Sequence, residues 1–267
     1  MEIMNDNNSL IRMNGIDMLE RGQLFVLLGG PESGKTNTSC LLAAACLGAK
    51  MPALQSTTTN RLALRSVIYY STRYNAWNAE AIVRDIYPKQ NGAFIPPTKR
   101  ILSVYHQDKY PTFKPEYFVE PKKHFLRADV IRGLREALQA FRHDLLILDL
   151  GNELADDLGN RLTVRELKNM AVDYNIAICV VLTAVDVALD VGNPKIIRNY
   201  MAGDFGDAIY REAKNAIRVR PRKEKANNLF RVEELKGVVD PDRNYFEFII
   251  PQDGVPTILS SEDDSNY

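Results

Sequence analysis

Little in this sequence points to a secreted, metal-stapled or membrane-spanning protein. Only three cysteines occur in 267 residues, Cys40, Cys46 and Cys179. Each lies in an apolar run without metal-site spacing, so they read as small core residues in a reducing compartment. His106, His124 and His143 have no partner at a useful spacing and read as structural or surface residues. No apolar run approaches the ~20 residues that cross a bilayer. The opening MEIMNDNNSL is polar and has no signal-peptide core, so a cytoplasmic protein with no membrane contact is expected. An excess of charge is also missing, since 34 Lys and Arg balance 34 Asp and Glu. Net charge therefore gives no argument for nucleic acid, and any basic surface must be local.

What is present is an ordinary globular composition, 45% apolar and 25% charged. Strands and helices alternate. Leu24–Leu28 reads as a buried parallel strand, and Thr36–Leu47 as a helix closed by Gly48. Further strands are predicted at Val67–Tyr70, Ile101–Tyr105, Leu145–Leu148 and Ile176–Leu182. Asp129–Arg142 places Val130, Leu134, Ala137, Leu138 and Phe141 on one helical face. Thr163 and Glu166 form a capping-box pattern that opens another helix. Asn215–Val219, Leu229–Glu233 and Tyr245–Ile250 read as antiparallel edge strands. The expected fold class is α/β: a mainly parallel, helix-covered sheet with an antiparallel C-terminal extension. Residues 1–258 read as one domain with a short N-terminal extension, and 259–267 as an acidic disordered tail.

The most specific signal is Gly29-Gly30-Pro31-Glu32-Ser33-Gly34-Lys35-Thr36, a complete G-x-x-x-x-G-K-[ST] between a predicted strand and helix. Glycines let the backbone close around phosphate oxygens, and the helix start adds partial positive charge. Lys35 would reach the β- and γ-phosphates of a nucleoside triphosphate, and Thr36 would hold Mg²⁺. Asn37 follows in the first helical turn. A second acid comes from Asp144-Leu-Leu-Ile-Leu-Asp149, where Asp149 ends a strand at the phosphate-loop edge and can orient an Mg²⁺-bound water.

The order of parts resembles the RecA/KaiC/DnaB superfamily, and most closely the small plasmid replicative helicases of the RepA type. The resemblance runs from "LERGQLFVLLGGPESGKTN" through "SVIYYST", "RILSVYH", "DLLILDL" and "IAICVVLT" to "GDAIYREAKNAIRVRP" and "NNLFRVEELKG", roughly residues 15–258. It implies a RecA-like P-loop core, ATP and Mg²⁺ as cofactors, and a homo-oligomer, a hexameric ring or a filament, with nucleotide between subunits. It also implies work on DNA, most simply a single strand. Three positions depart from the family pattern. Arg73 stands where a water-activating glutamate is usual, with Glu80 the nearest acid downstream. Thr183-Ala184 stands where a polar γ-phosphate sensor is usual, and Lys236 is the candidate for the finger that reaches a neighbouring subunit. Glu153 and Asp156 are the acids that could replace the missing glutamate, or simply belong to a solvated loop.

Candidate nucleic-acid contacts fall in three places. Asp186–Tyr210, a predicted channel loop, carries Lys195, Arg198 and Tyr200. The run Arg218, Arg220, Arg222, Lys223 and Lys225 puts five basic residues within eight positions at a predicted hairpin. It reads either as a phosphate-tracking element or as a solvated, edge-protecting turn. Tyr87–Phe125 mixes basic and aromatic residues, which suits a single strand or a loop folded on the core. The readings left open are a DNA-dependent ATPase in the form of a ring-forming replicative or mobilisation helicase; a nucleotide-gated module with little hydrolysis; and another RecA-core motor, such as a recombinase-like filament or a viral packaging NTPase.

Overall fold

The computed structural model describes residues 8–57, 65–71, 79, 81–86, 100–106, 127–140, 142–149, 160–183, 203–222, 226, 228–236 and 244–259. In chain order its first half gives β1 (Ser9–Met13), β2 (Ile16–Glu20), β3 (Leu24–Gly29), α1 (Lys35–Cys46), β4 (Leu54–Ser56), β5 (Arg65–Ser71) and β6 (Arg100–His106). Then follow α2 (Arg127–Ala140), β7 (Leu145–Asp149), α3 (Asn160–Asp173), β8 (Ala177–Thr183) and α4 (Gly203–Glu212). The chain continues through β9 (Asn215–Pro221), β10 (Leu229–Lys236), β11 (Tyr245–Ile249) and β12 (Thr257–Ile258). No described helix is long and apolar enough to cross a membrane.

The main sheet has nine strands in the order β12-β11-β10-β9-β3-β8-β7-β5-β6. From β9 to β6 the strands are parallel, and β10, β11 and β12 extend the sheet antiparallel. The α/β class and its antiparallel extension are as expected. One strand is not: β9 lies beside the phosphate-loop strand β3 and runs parallel to it. The crossover that makes this possible is α4, which occupies the end of the segment expected to be a channel loop. Its Phe205 and Ile209 are one turn apart and fully buried, but Gly203 and Gly206 hide the helical pattern in the sequence.

Both faces of the sheet are covered, so β3 is buried along its whole length. Period-two alternation sends Phe25, Leu27, Val67, Leu145 and Ile147 to the α1 face, and Leu24, Val26, Ile68, Leu146 and Leu148 to the face of α2, α3 and α4. The same parity carries Tyr69 and Asp149 to the α1 side. Helix α1 is itself covered on its far side by a three-stranded antiparallel sheet, β2-β1-β4, which the sequence did not disclose. Enclosed between two sheets, α1 runs through Cys40-Leu-Leu-Ala-Ala-Ala-Cys46, all fully buried. Its C-terminus is a Schellman motif: Gly48 N–H donates to Ala45 O, Ala49 N–H donates to Ala44 O, and Gly48 has φ of 91°.

The three cysteines are free and buried, as expected, and burial pushes the Cys40 and Cys179 thiols up. Thr163 does not cap α3. That helix begins at Asn160, so Thr163 lies in its first turn, fully buried. At the sheet edge away from the phosphate loop, Asp144 joins three segments. Its carboxylate accepts from Arg21 Nη2 at 2.6 Å and from Ser66 N–H at 3.0 Å, and its carbonyl accepts from Ala177 N–H. His143 is buried beside it, 2.7 Å from Ser66 Oγ, and burial lowers its pKa.

Candidate functional site

The C-terminal ends of the parallel strands form one edge, and the expected phosphate loop opens there. Gly29 ends β3, and a Cβ at this position would sit 2.9 Å from Val219 O of β9 and crowd the Ser33 hydroxyl. Gly30, Pro31 and Glu32 form the outer rim. Nothing lies within 4 Å of a Cβ at Gly30, and Glu32 adopts a left-handed φ of 55°. Ser33 turns inward and is buried, with no hydrogen-bond partner for its Oγ among the described residues. Gly34 has φ of 88°, and a Cβ there would lie 2.9 Å from Phe230 Cδ1. Phe230, from β10, stacks on Phe248 with ring centroids 5.2 Å apart. The antiparallel extension therefore backs the phosphate loop, which explains why this position is glycine.

Helix α1 starts immediately after Gly34, with no side-chain cap and no acid in its first turn. The first amides of a helix have no acceptor within the helix itself, and a helix start carries partial positive charge. Lys35 is buried and folds back so that Nζ donates to Gly30 O at 2.5 Å. Thr36 Oγ1 donates to Asp149 Oδ2 at 3.2 Å, joining residues 113 apart in sequence. Asn37 sits half-exposed in the same turn.

Two further residues complete this cluster, and sequence reasoning missed both. Tyr69 Oη donates to the same Asp149 Oδ2 at 3.0 Å. Ser39, one turn after Thr36, lies 2.7 Å from Tyr69 Oη and 2.8 Å from Thr36 O. Tyr69 is fully buried. Burial, reinforced by the Asp149 charge, pushes its hydroxyl well above the usual range, so it stays protonated. A tyrosine in an otherwise apolar buried strand was the available signal, because a buried phenol needs a partner.

The donor set fits a hard cation such as Mg²⁺. One hydroxyl and one carboxylate converge beside a loop suited to phosphates, and Mg²⁺ typically takes one or two carboxylates and completes its shell with phosphate oxygens and water. No cluster of three or more His, Cys, Asp or Glu occurs among the described residues. At the strand ends, Gly29 is in register with Thr183, and Ser71 with Asp149 and His106. Asp149 is the one carboxylate among these terminal strand residues.

The basic run resolves differently from expectation. Arg218 is buried inside the sheet, and its guanidinium donates to Glu233. Burial and the neighbouring Arg220 and Arg231 lower it to about 10. It is a structural ion-pair residue, which corrects its assignment to nucleic-acid contact; alternation along β9 turns it toward Glu233 of β10, its register partner. Arg222 bonds buried Glu247 at 2.8 Å, which ties it to β11. Arg220 is the more exposed member, its side chain 46% accessible and 3.4 Å from Glu233. Lys236, the candidate finger, is engaged within its own chain. Its ammonium donates to Tyr210 O, Arg211 O and Ala213 O, closing the C-terminal end of α4. Arg73, Glu80, Glu153, Asp156, Lys195, Arg198, Lys223 and Lys225 lie outside the described residues, as does Tyr87–Phe125 apart from β6.

No protein-family model matches the chain, and no curated protein matches it.

Proposed function

We infer that the chain binds a nucleoside triphosphate with Mg²⁺ at residues 29–36 and Asp149, and works as a RecA-like ATPase on DNA. The observation that carries this is the meeting of Thr36 and Asp149 across the sheet edge, directly above an uncapped helix start and beside Lys35. A loop that merely happened to match a phosphate-binding pattern would not bring a distant strand-end carboxylate to its Thr hydroxyl. Here Lys35 would exchange the Gly30 carbonyl for phosphate oxygens. The amides of α1 would take the remaining phosphate charge, and Thr36 with Asp149 would hold the cation and its water. The cation, when bound, neutralises charge developing on the phosphates. A ring helicase that encloses single-stranded DNA is the form of this activity best in keeping with the order of parts along the chain.

A second reading has its own support. Neither strand that flanks the acid strand β7 ends in a carboxylate, since β5 ends at Ser71 and β8 at Thr183. A site that holds nucleotide without an activating base is a switch, in which bound nucleotide stabilises an assembly by mass action. One set of measurements separates the two readings. Lys35→Ala should abolish binding of a fluorescent ATP analogue while the thermal midpoint stays close to the parent's. Unchanged affinity would end the phosphate-loop assignment. If the parent binds but shows no turnover with single-stranded DNA, the switch is the better reading.

A further inference from the structure

We propose that Tyr69 is a positioning residue that sets the orientation of the Asp149 carboxylate toward the cation held at Thr36, with Ser39 fixing Tyr69 in turn. This rests on the nucleotide–Mg²⁺ reading of the same site. The argument is one of hydrogen-bond supply. A carboxylate only accepts. Asp149 Oδ2 takes the Thr36 hydroxyl at 3.2 Å and the Tyr69 hydroxyl at 3.0 Å. The single Tyr69 proton is therefore committed to Asp149.

Ser39 Oγ lies against the phenol oxygen, at 2.7 Å. The serine hydroxyl donates to Thr36 O at 2.8 Å, on the carbonyl lone pair that the helical amide leaves open, so Ser39 ties the Tyr69 hydroxyl to the first turn of α1. The result is a closed loop through Thr36, Asp149, Tyr69 and Ser39. Two donors pin Oδ2, and the other oxygen of Asp149 is left to accept from cation-bound water. Tyr69 never reaches the ligand, because it is fully buried on the α1 face of β5.

The test uses the full chain and a fluorescent ATP analogue, titrated once in EDTA and then against rising Mg²⁺. Tyr69→Phe should raise the Mg²⁺ concentration at half-maximal effect by about 10-fold, the usual scale for loss of an outer-sphere partner. Its metal-free nucleotide affinity should stay at the parent value. Tyr70→Phe, on the opposite face of the same strand, should leave both quantities unchanged. Ser39→Ala should move the Mg²⁺ midpoint in the same direction as Tyr69→Phe by a smaller factor, and it provides the test should Tyr69→Phe fail to fold. If Asp149→Asn shifts the Mg²⁺ midpoint and neither Tyr69→Phe nor Ser39→Ala does, the positioning role is wrong and the nucleotide site stands. Equal weakening of binding in EDTA and in Mg²⁺ would make Tyr69 purely structural and overturn the proposal. If the parent shows no Mg²⁺-dependent binding, the nucleotide reading and this proposal fall together.

Discussion

Glu234→Gln should stabilise the protein at alkaline pH and do almost nothing at acid pH. Glu234 lies on β10, 1% exposed, bonded to Asn244 and with Oε1 unpartnered among the described residues. Burial raises its carboxyl from 4.5 to about 7, against a smaller lowering by Asn244. The folded state therefore binds a proton more tightly than the unfolded chain does. The associated stability is fully present below pH 4.5 and is lost as the pH rises through about 7. At 1.36 kcal/mol per pH unit, that displacement corresponds to about 3 kcal/mol between the two limits, of which about 2.5 kcal/mol falls between pH 5 and pH 8. Glutamine reproduces the neutral form and carries no such dependence. Urea unfolding of parent and variant at pH 5 and pH 8 reads the effect directly. The variant's advantage should grow by 2–3 kcal/mol across that interval with the denaturant slope unchanged. Parallel pH profiles for the two proteins would refute the reasoning and mean that the carboxylate stays ionised in place.

Gly34→Ala should weaken nucleotide binding and cost more stability than a positive-φ penalty of about 1 kcal/mol, because the new methyl meets the Phe230 ring. Adding Phe230→Leu should recover part of that loss, and strict additivity in thermal unfolding would show that the two positions do not collide. If the basic hairpin tracks DNA, Arg220→Ala with Lys223→Ala and Lys225→Ala should flatten the salt dependence of binding by about two to three log–log units while ATP binding persists. An unchanged slope would move the contact to Lys195 and Arg198. Arg218→Ala should instead lower stability, because it leaves Glu233 buried beside only the longer contacts of Arg220 and Arg231.

The parts legible in the sequence were those that periodicity and local motif define. Strand β3, helix α1 and acid strand β7 came out within a residue or so, since the two strands are continuous apolar runs ending at glycine or aspartate and the helix is framed by Gly34 and Gly48. The phosphate loop was legible because its geometry is local. The companions of Asp149 were not, because Tyr69 reaches it through sheet parity and strand order, which no short window contains. Asp144 and Asp149 bracket one strand; its direction already marks Asp149 as the acid at the phosphate-loop edge, while the clamp that Asp144 makes with Arg21 and Ser66 is visible only in the fold. The basic run reads as one patch of charge, but Arg218 and Arg220 share a face of β9 beside Glu233 of β10, and Arg222 is held by Glu247 of β11, partners that no window of the run contains.

The small sheet over α1 bears on how this protein can be cut and expressed. A fragment that began at β3 would keep the whole nucleotide motif and look like a minimal unit. It would also lose β1 and β2, leave β4 without its partner strand, and expose the apolar flank of α1 to water. Such a fragment should go to inclusion bodies or bind chaperones, and its lack of activity would say nothing about the site. A truncation boundary therefore belongs ahead of Ser9, so that β1, β2 and β4 stay together over the helix.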